Sequence, residues 1–127
     1  MDPTSDMLIR LKNAQRAGHE IVRIPYARML YNIAKVLEST GLIGIIEKKG
    51  KRTRKILEIA LHSKDSEQSF HGVYLISKPG RKLYLPSRML RPSRKGGVII
   101  LSTSKGVMDA REARRSGLGG MIIAEVW

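Results

Sequence analysis

The sequence contains no cysteine, which excludes disulfide bonds and removes the thiolate ligands of most structural zinc sites. An absence of disulfides fits an intracellular compartment. The chain has no run of about twenty apolar residues, so no segment is predicted to span a bilayer. It begins Met1-Asp2-Pro3, whereas a signal or transit peptide would begin with basic charge.

Acidic residues are few, because 11 Asp and Glu stand against 24 Lys and Arg, for a formal net charge of +13. The sequence pI is about 10.5. Surfaces evolved only for solubility more often mix both signs, so the excess indicates a polyanionic partner. Charge alone leaves RNA, DNA and an anionic membrane open. The predicted helices have core-type faces without a basic interfacial pattern, so a membrane fits poorly.

Motifs of catalysis are also absent. The chain has no G-x-x-x-x-G-K phosphate loop and no G-x-S-x-G elbow, and residues 117–120 are too short for a dinucleotide fingerprint. His19, His62 and His71 lack metal-ligand spacing. A small hydrolase or transferase would need convergent titratable groups, and the acids are scattered. The sequence therefore predicts no enzyme, no cofactor and no metal.

Hydrophobic periodicity predicts an α+β protein of two small domains, residues 1–64 and 65–127. A polar stretch at 62–70 is interpreted as the linker. The first domain is predicted to run helix, strand, helix, strand, strand. Its elements are a helix capped by Asp2 and ended by Gly18, a strand at 21–25, a helix around 29–37 followed by Gly41, and a hairpin of strands at 42–47 and 55–61.

The second domain is predicted to be mainly β with one short helix. Its strands are predicted at 73–77, 82–85, 98–101 and 121–126, and its helix runs from a cap at Asp109 through Arg115 to a stop at Gly117. Residues 86–97 are expected to be irregular, with one helical turn.

The first candidate RNA contact is the stretch 48–55 (KKGKRTRK), with six cations in eight residues at a hairpin turn. Such a tip can reach phosphates, and Lys51, Arg52 and Arg54 are its candidate contacts. The alternative is an ordinary solvated turn, which a charge run often forms.

The second candidate is the stretch 77–84 (SKPGRKLY), which combines a rigid turn, three cations and an aromatic residue. The Tyr84 ring can stack on an unpaired base or pack on a ribose, while neighbouring cations hold the backbone. The turn adds Lys78, Pro79 and Gly80 to the candidates. The alternative is a tyrosine at the edge of the core, since the chain has few aromatics.

The third candidate is the stretch 102–106 (STSKG), predicted as a loop between a buried strand and a capped helix. Its three hydroxyls can donate and accept, and small side chains let the backbone approach a groove. A position near the helix N-terminus would also favour phosphate. Hydroxyl contacts suit irregular RNA. The alternative is a turn whose hydroxyls satisfy their own backbone, and the sequence leaves both open.

Several stretches, in this order along nearly the whole chain, resemble the bacterial-type small-subunit ribosomal protein S8 family. They are DPxxDML at 2–8 with Asn13-Ala14, ISKPG at 76–80, STSKGVM at 102–108, REAR at 111–114 and the pair Gly119-Gly120. The STSKGVM stretch followed by REAR is the most specific part. Several positions depart from the family pattern. Leu75 stands where arginine is frequent, Met121 where an acid is frequent, and Asp109-Ala110 where Thr-Asp is usual.

The resemblance implies a two-domain α+β protein that binds a central-domain helix of small-subunit rRNA early in assembly. Implied partners are neighbouring small-subunit ribosomal proteins and, for bacterial members, the protein's own operon mRNA, which they repress. The protein is expected to be a monomer outside the ribosome, and the ribosome to be cytoplasmic or organellar.

The resemblance also implies which positions contact RNA. The second domain would contact an irregular internal loop and the first would touch neighbouring RNA. The implied positions are Ser102, Thr103, Ser104, Lys105, Gly106 and Tyr84 in the second domain, and Asp2, Pro3, Arg10, Asn13 and Arg28 in the first. Gly119, Gly120 and Glu125 complete the candidates. The alternative function is a non-specific DNA-compacting or RNA-chaperone protein, which would bind unrelated duplexes nearly as well.

Overall fold

The computed structural model describes residues 2–63, 65–67 and 69–127. Contacts divide the chain into two compact units, one ending at His71 (unit 1) and one from Gly72 to Trp127 (unit 2). The predicted boundary at residue 64 lies outside the described residues, as does residue 68 of the predicted linker. The linker's last two residues, Ser69 and Phe70, are buried, so that end is packed against the protein.

Unit 1 has the predicted order of helix, strand, helix, strand, strand. Its elements are α1 (Pro3–Ala17), β1 (Ile21–Pro25), α2 (Arg28–Ser39), β2 (Ile46–Lys49) and β3 (Ile56–Ala60). The predicted start of α1 is confirmed, because an Asp2 carboxylate oxygen accepts a hydrogen bond from the Ser5 N–H at 2.9 Å. Its predicted end at Gly18 is also confirmed.

The three strands of unit 1 form an antiparallel sheet in the order β1-β3-β2. Alternate residues point inward, so Val22 and Ile24 of β1 and Leu57 and Ile59 of β3 are buried. The buried faces of both helices complete the apolar core of this unit. Their buried apolar residues are Met7, Leu8, Leu11, Leu30, Ile33, Ala34 and Leu37.

The prediction of a strand at 42–47 is wrong in its position, because β2 begins only at Ile46. The residues before it close α2. The Gly41 N–H donates to the Glu38 carbonyl and the Leu42 N–H to the Leu37 carbonyl, each at 3.1 Å. This is the pairing that ends a helix at a glycine, and it engages the N–H of Leu42, the first residue of the predicted strand, while Gly44 and Ile45 hydrogen-bond to Ala60.

Unit 2 is mainly β with one short helix, as predicted. Its elements are β4 (Val73–Leu75), β5 (Tyr84–Leu85), a 3₁₀ turn (Ser87–Met89), β6 (Val98–Thr103), β7 (Gly106–Asp109), α3 (Ala110–Arg115) and β8 (Gly120–Val126). The antiparallel sheet has the order β4-β8-β6-β7, and β5 also pairs with β8. A core under α3 contains Leu90, Leu101, Ala110, Ala113 and Ile122.

Two details of unit 2 differ from prediction. Strands β4 and β5 are shorter because both pair with β8, where the Ile123 carbonyl accepts from the N–H groups of Ile76 and Ser77. Strand β7 was not predicted, since its four residues are too few to show a strand pattern of their own. Within the described residues, no helix is both long and apolar enough to cross a membrane.

Candidate nucleic-acid interface

The stretch 102–106 is a β-hairpin, so its prediction as a loop leading into a helix is wrong. Ser102 and Thr103 end β6, two residues form the turn, and Gly106 begins β7 paired with Thr103. The helix α3 starts at the far end of β7, and its own N-terminus is capped by Asp109. The predicted contribution of that helix to phosphate binding is therefore also wrong.

The three hydroxyls of this hairpin differ in what they contact. Thr103 Oγ1 donates to the Gly106 carbonyl at 2.8 Å and accepts from the Lys105 N–H at 3.1 Å. This hydroxyl therefore fixes the turn, as the alternative interpretation expected. In the described part of the chain, the hydroxyls of Ser102 and Ser104 make no hydrogen bond, so both are available to a ligand.

Cross-strand pairing brings Tyr84 and Ser102 together. Both lie opposite Met121 of β8, Tyr84 on one side and Ser102 on the other. Directly paired residues point to the same face of an antiparallel sheet, so the three side chains form one row. The next row contains the buried Leu101 and Ile122, and the row of Tyr84 therefore lies on the opposite face, away from the α3 core.

Exposure supports a ligand role for the Tyr84 ring, because 65% of the residue is accessible. The alternative of a tyrosine at the core edge does not describe this side chain. Met121, where the family often has an acid, places a partly buried thioether between Tyr84 and Ser102. A neutral residue here removes a negative charge that would repel phosphate.

Gly119 and Gly120 are required by the sheet. A Cβ atom on Gly120 would lie 2.1 Å from the Ser102 carbonyl oxygen, and one on Gly119 would lie 2.4 Å from the Leu85 carbonyl oxygen. These glycines let β8 approach both neighbouring strands at the level of the hairpin. An RNA contact at either glycine stays a prediction.

The Pro79-Gly80 turn is tight and exposed. The N–H groups of Lys78 and Arg81 donate to each other's carbonyl oxygens at 2.8 and 2.9 Å. Ser77 Oγ accepts from the Leu83 N–H at 3.0 Å, which fixes the chain entering β5. The turn therefore holds Lys78 and the start of the Tyr84 strand in one defined geometry.

Glu125 has a structural partner. Its carboxylate accepts a hydrogen bond from Ser93 Oγ at 2.5 Å. The Ser93 Oγ atom in turn accepts hydrogen bonds from the N–H groups of Lys95 and Gly97. Glu125 thereby orders the turn before β6. The prediction that it contacts RNA is not tested by this geometry.

The candidates of unit 1 at α1 and α2 are distributed over separate positions. Asp2 caps α1. The hydrogen bond that its carboxylate accepts from the Ser5 N–H holds the pKa of Asp2 below its ordinary value of 3.8. Arg10 donates from Nη2 to the Arg23 carbonyl oxygen at 3.0 Å. The other three are exposed, and their side chains make no hydrogen bond or ion pair among the described residues. They are Pro3, Asn13 and Arg28.

The stretch 48–55 lies at the end of the β2–β3 hairpin, as predicted. Its three candidates, Lys51, Arg52 and Arg54, are exposed and form no salt bridge within the described residues. Behind them, Glu58 of β3 contacts both flanking strands, with Arg23 at 3.1 Å and Lys49 at 2.9 Å. The sheet thus pairs its inner cations and leaves those at the tip unpaired.

An aromatic cluster near this tip was missed by the sequence reasoning. The rings of Tyr26 and Tyr31 are 6.2 Å apart, and Lys48 Nζ lies 5.1 and 4.4 Å from their centroids. The available signal was a pair of tyrosines within six residues, followed by a basic stretch. In the described ranges, no group of three or more His, Cys, Asp or Glu could hold a metal.

Together the two units define a small, strongly basic α+β protein with exposed hydroxyl, aromatic and cationic side chains. The family model described as Ribosomal protein S8 matches residues 2–127, and the chain belongs to that family. The resemblance predicted from the sequence is confirmed.

Curated relatives are similar over nearly their full length. The small ribosomal subunit protein uS8 of Prochlorococcus marinus (strain MIT 9211) is 42% identical over 129 residues, covering 99% of this chain and 97% of the relative. Proteins of the same name from Parasynechococcus marenigrum (strain WH8102) and Synechococcus sp. (strain CC9605) are also 42% identical, with the same coverage.

Proposed function

We propose that this chain is a structural constituent of the small ribosomal subunit and binds small-subunit rRNA directly. Membership of the S8 family supports the ribosomal role. The site on rRNA is an irregular internal loop within a helix of the central domain. Binding there nucleates local assembly, and neighbouring small-subunit proteins join the same complex. The chain is a monomer outside the ribosome and a non-catalytic component within it.

One observation carries the proposal for direct recognition. Ser102 and Ser104, whose hydroxyls make no hydrogen bond to the described residues, stand on a hairpin whose sheet also holds the exposed Tyr84 ring in the row of Ser102. Hydroxyls can read base edges and 2′-OH groups, and an exposed ring can stack on an unpaired base. Both groups suit RNA whose bases are not all paired, as in an internal loop.

Affinity and recognition come from different residues in this proposal. The net charge of +13 supplies salt-dependent attraction to any RNA. Lys105 and Lys78 add phosphate contacts beside the hydroxyls. Gly106 leaves the backbone of the hairpin accessible to RNA, and Gly120 lets β8 pack closely against β6. In unit 1, the exposed candidates on α1 and at the start of α2 contact neighbouring RNA.

Repression of the chain's own operon mRNA follows if that mRNA folds into a similar loop. The same surface of unit 2 would then bind both RNAs, and the two would compete. A gel-shift titration of the operon leader against the rRNA helix tests this extension. Failure to compete would confine the protein to the ribosome.

The experiment that tests the main proposal is a footprint of small-subunit rRNA with the purified chain. Hydroxyl radicals cleave exposed riboses, so bound riboses are protected. We expect protection of one helix in the central domain, centred on its internal loop. Protection spread evenly over many helices would favour the non-specific alternative and overturn the proposal.

A further inference from the structure

A groove lies beside the charged hairpin of unit 1. It is lined by Pro25 and Tyr26 on one side and by residues 52–56 on the other, and its volume is about 530 Å³. Sites for small ligands are typically about 300–1,000 Å³. The groove therefore has room for one nucleotide.

The positive charge of the groove favours binding of an anion. Arg52, Arg54 and Lys55 all line it, all are exposed, and none forms a salt bridge in the described part of the chain. Among the residues that the structure describes, no acidic one lines it. Three cations held together without a counter-charge repel each other, and a phosphate relieves that repulsion.

The Tyr26 ring gives the groove a flat surface held in place by its neighbours. Lys55 Nζ lies 5.9 Å from the ring centroid, Lys48 Nζ lies 5.1 Å from it, and Tyr31 packs at a tilt of 51°. The Tyr26 N–H donates to the Lys55 carbonyl at 3.0 Å, which joins the two sides of the groove. A ring already fixed loses little entropy when a base stacks on it.

We propose that this groove binds one unpaired nucleotide of RNA, with its base on the Tyr26 ring and its phosphate at Arg52, Arg54 and Lys55. The proposal rests on the proposed RNA-binding function, but it concerns a groove in unit 1, whereas the hairpin at 102–106 belongs to unit 2. An acidic peptide would meet the cations and leave the ring without a planar partner. A duplex would offer phosphates without a free base face. Single-stranded RNA supplies both.

The test uses the full chain and a fluorescein-labelled hexamer of uridylate, which forms no duplex. Fluorescence anisotropy measures its affinity for the parent, Tyr26→Leu and Tyr26→Phe. Loss of a stacked base typically costs enough to lower affinity about tenfold, so Tyr26→Leu is expected to bind about tenfold more weakly. Tyr26→Phe keeps the ring and is expected to bind like the parent.

Equal affinity of a folded Tyr26→Leu protein and the parent would overturn the proposal. So would competition by a decaglutamate peptide that shows the same dependence on Tyr26, since the groove would then suit an acidic protein. If Tyr26→Leu does not fold, NMR of the parent decides: stacking shifts the Tyr26 ring protons upfield when the hexamer is added, and unchanged shifts would overturn the proposal.

The rRNA helix serves as a second probe that separates this proposal from the proposed function. A parent protein that binds the hexamer through Tyr26 but fails to select the helix supports the groove and overturns helix recognition. A parent that selects the helix and binds the hexamer without dependence on Tyr26 overturns the groove alone.

Discussion

The hairpin between β2 and β3 carries six cations in the eight residues 48–55, whereas the hairpin between β6 and β7 carries one lysine in the five residues 102–106. The first has exposed long side chains at a tip without salt bridges in the described residues. The second has a two-residue turn fixed by Thr103, between strands in full register. The first hairpin offers a ligand positive charge, whereas the second offers hydroxyl groups in fixed positions.

The two hairpins suggest how a basic protein can select one RNA. Exposed arginines and lysines contact phosphates, which every RNA has, so they raise affinity for all sequences alike. Short hydroxyl side chains on a rigid turn contact only a surface whose shape matches them. We therefore expect the less charged hairpin, at 102–106, to contribute more to specific recognition.

Among single substitutions at the β6–β7 hairpin, Gly120→Ala is expected to be the most damaging. The added Cβ would lie 2.1 Å from the Ser102 carbonyl oxygen, so β6 must move. Overpacking against backbone should lower the free energy of unfolding by about 3 kcal/mol and abolish selective RNA binding. Urea unfolding measures the stability. Gly80→Ala, whose Cβ meets no atom within 4 Å, is the control and should stay within about 1 kcal/mol of the parent.

Ser104→Ala tests recognition without disturbing the fold. The Ser104 hydroxyl makes no hydrogen bond in the described residues, so its loss should leave stability unchanged. If it is buried against RNA, binding to the rRNA helix should weaken by about 1–3 kcal/mol, with no change in the salt slope. Isothermal titration calorimetry at several salt concentrations measures both. Ser39→Ala removes an exposed hydroxyl of unit 1 as the control, and equal affinities throughout would contradict the assignment.

Neutralising the charged tip should have the opposite signature. The variant Lys51→Gln, Arg52→Gln, Arg54→Gln is expected to weaken binding to related and unrelated RNAs equally. Its plot of log affinity against log salt should flatten by about one unit for each phosphate that the variant no longer neutralises. Filter binding at graded KCl measures the slope. An unchanged slope would mean that the tip is a solvated turn or faces a neighbouring protein.

The smallest effect concerns the base of the charged hairpin. The hydrogen bond from Lys49 holds the pKa of Glu58 below its ordinary value of 4.5, with help from Arg23. A lowered pKa contributes stability that is present above pH 4.5 and is lost as the pH falls through the folded-state pKa.

NMR titration of the Glu58 carboxyl measures this directly, and Glu58→Gln should reduce the loss of stability in acid. Glu20→Gln, at an exposed acid without an ion pair in the described residues, is the matched control. A Glu58 pKa at or above 4.5 would contradict the account of this hairpin's base.

Much of the fold could be predicted because local signals and the fold agree. The Asp2 cap, the β1 strand and the glycine that follows α2 all have the positions that local chemistry favours. Strand β7 could not be predicted, since its existence depends on pairing with β6. The start of β2 was misplaced because α2 uses the backbone of Gly41 and Leu42 to end.

The candidate site could be predicted in part, because some of its residues stand together in the sequence. Composition singled out the hydroxyl stretch, but only the pairing register shows that Met121 lies between Ser102 and Tyr84. Which hydroxyl serves the turn also needs coordinates, since Thr103 alone bonds within the hairpin among the described hydroxyls. The Tyr26 cluster draws on Lys48 and Lys55, which are distant in sequence and beyond the reach of local patterns.

Selective binding is separated from non-specific binding by a competition for the purified chain between the central-domain rRNA helix and an unrelated RNA duplex of equal length, measured from low to high salt. We expect the chain to prefer the rRNA helix at every salt concentration. Ser104→Ala should reduce this preference, whereas the variant with three glutamines at the 48–55 tip should retain it. Equal binding to both RNAs, or a preference that disappears with the tip charges alone, would contradict this expectation.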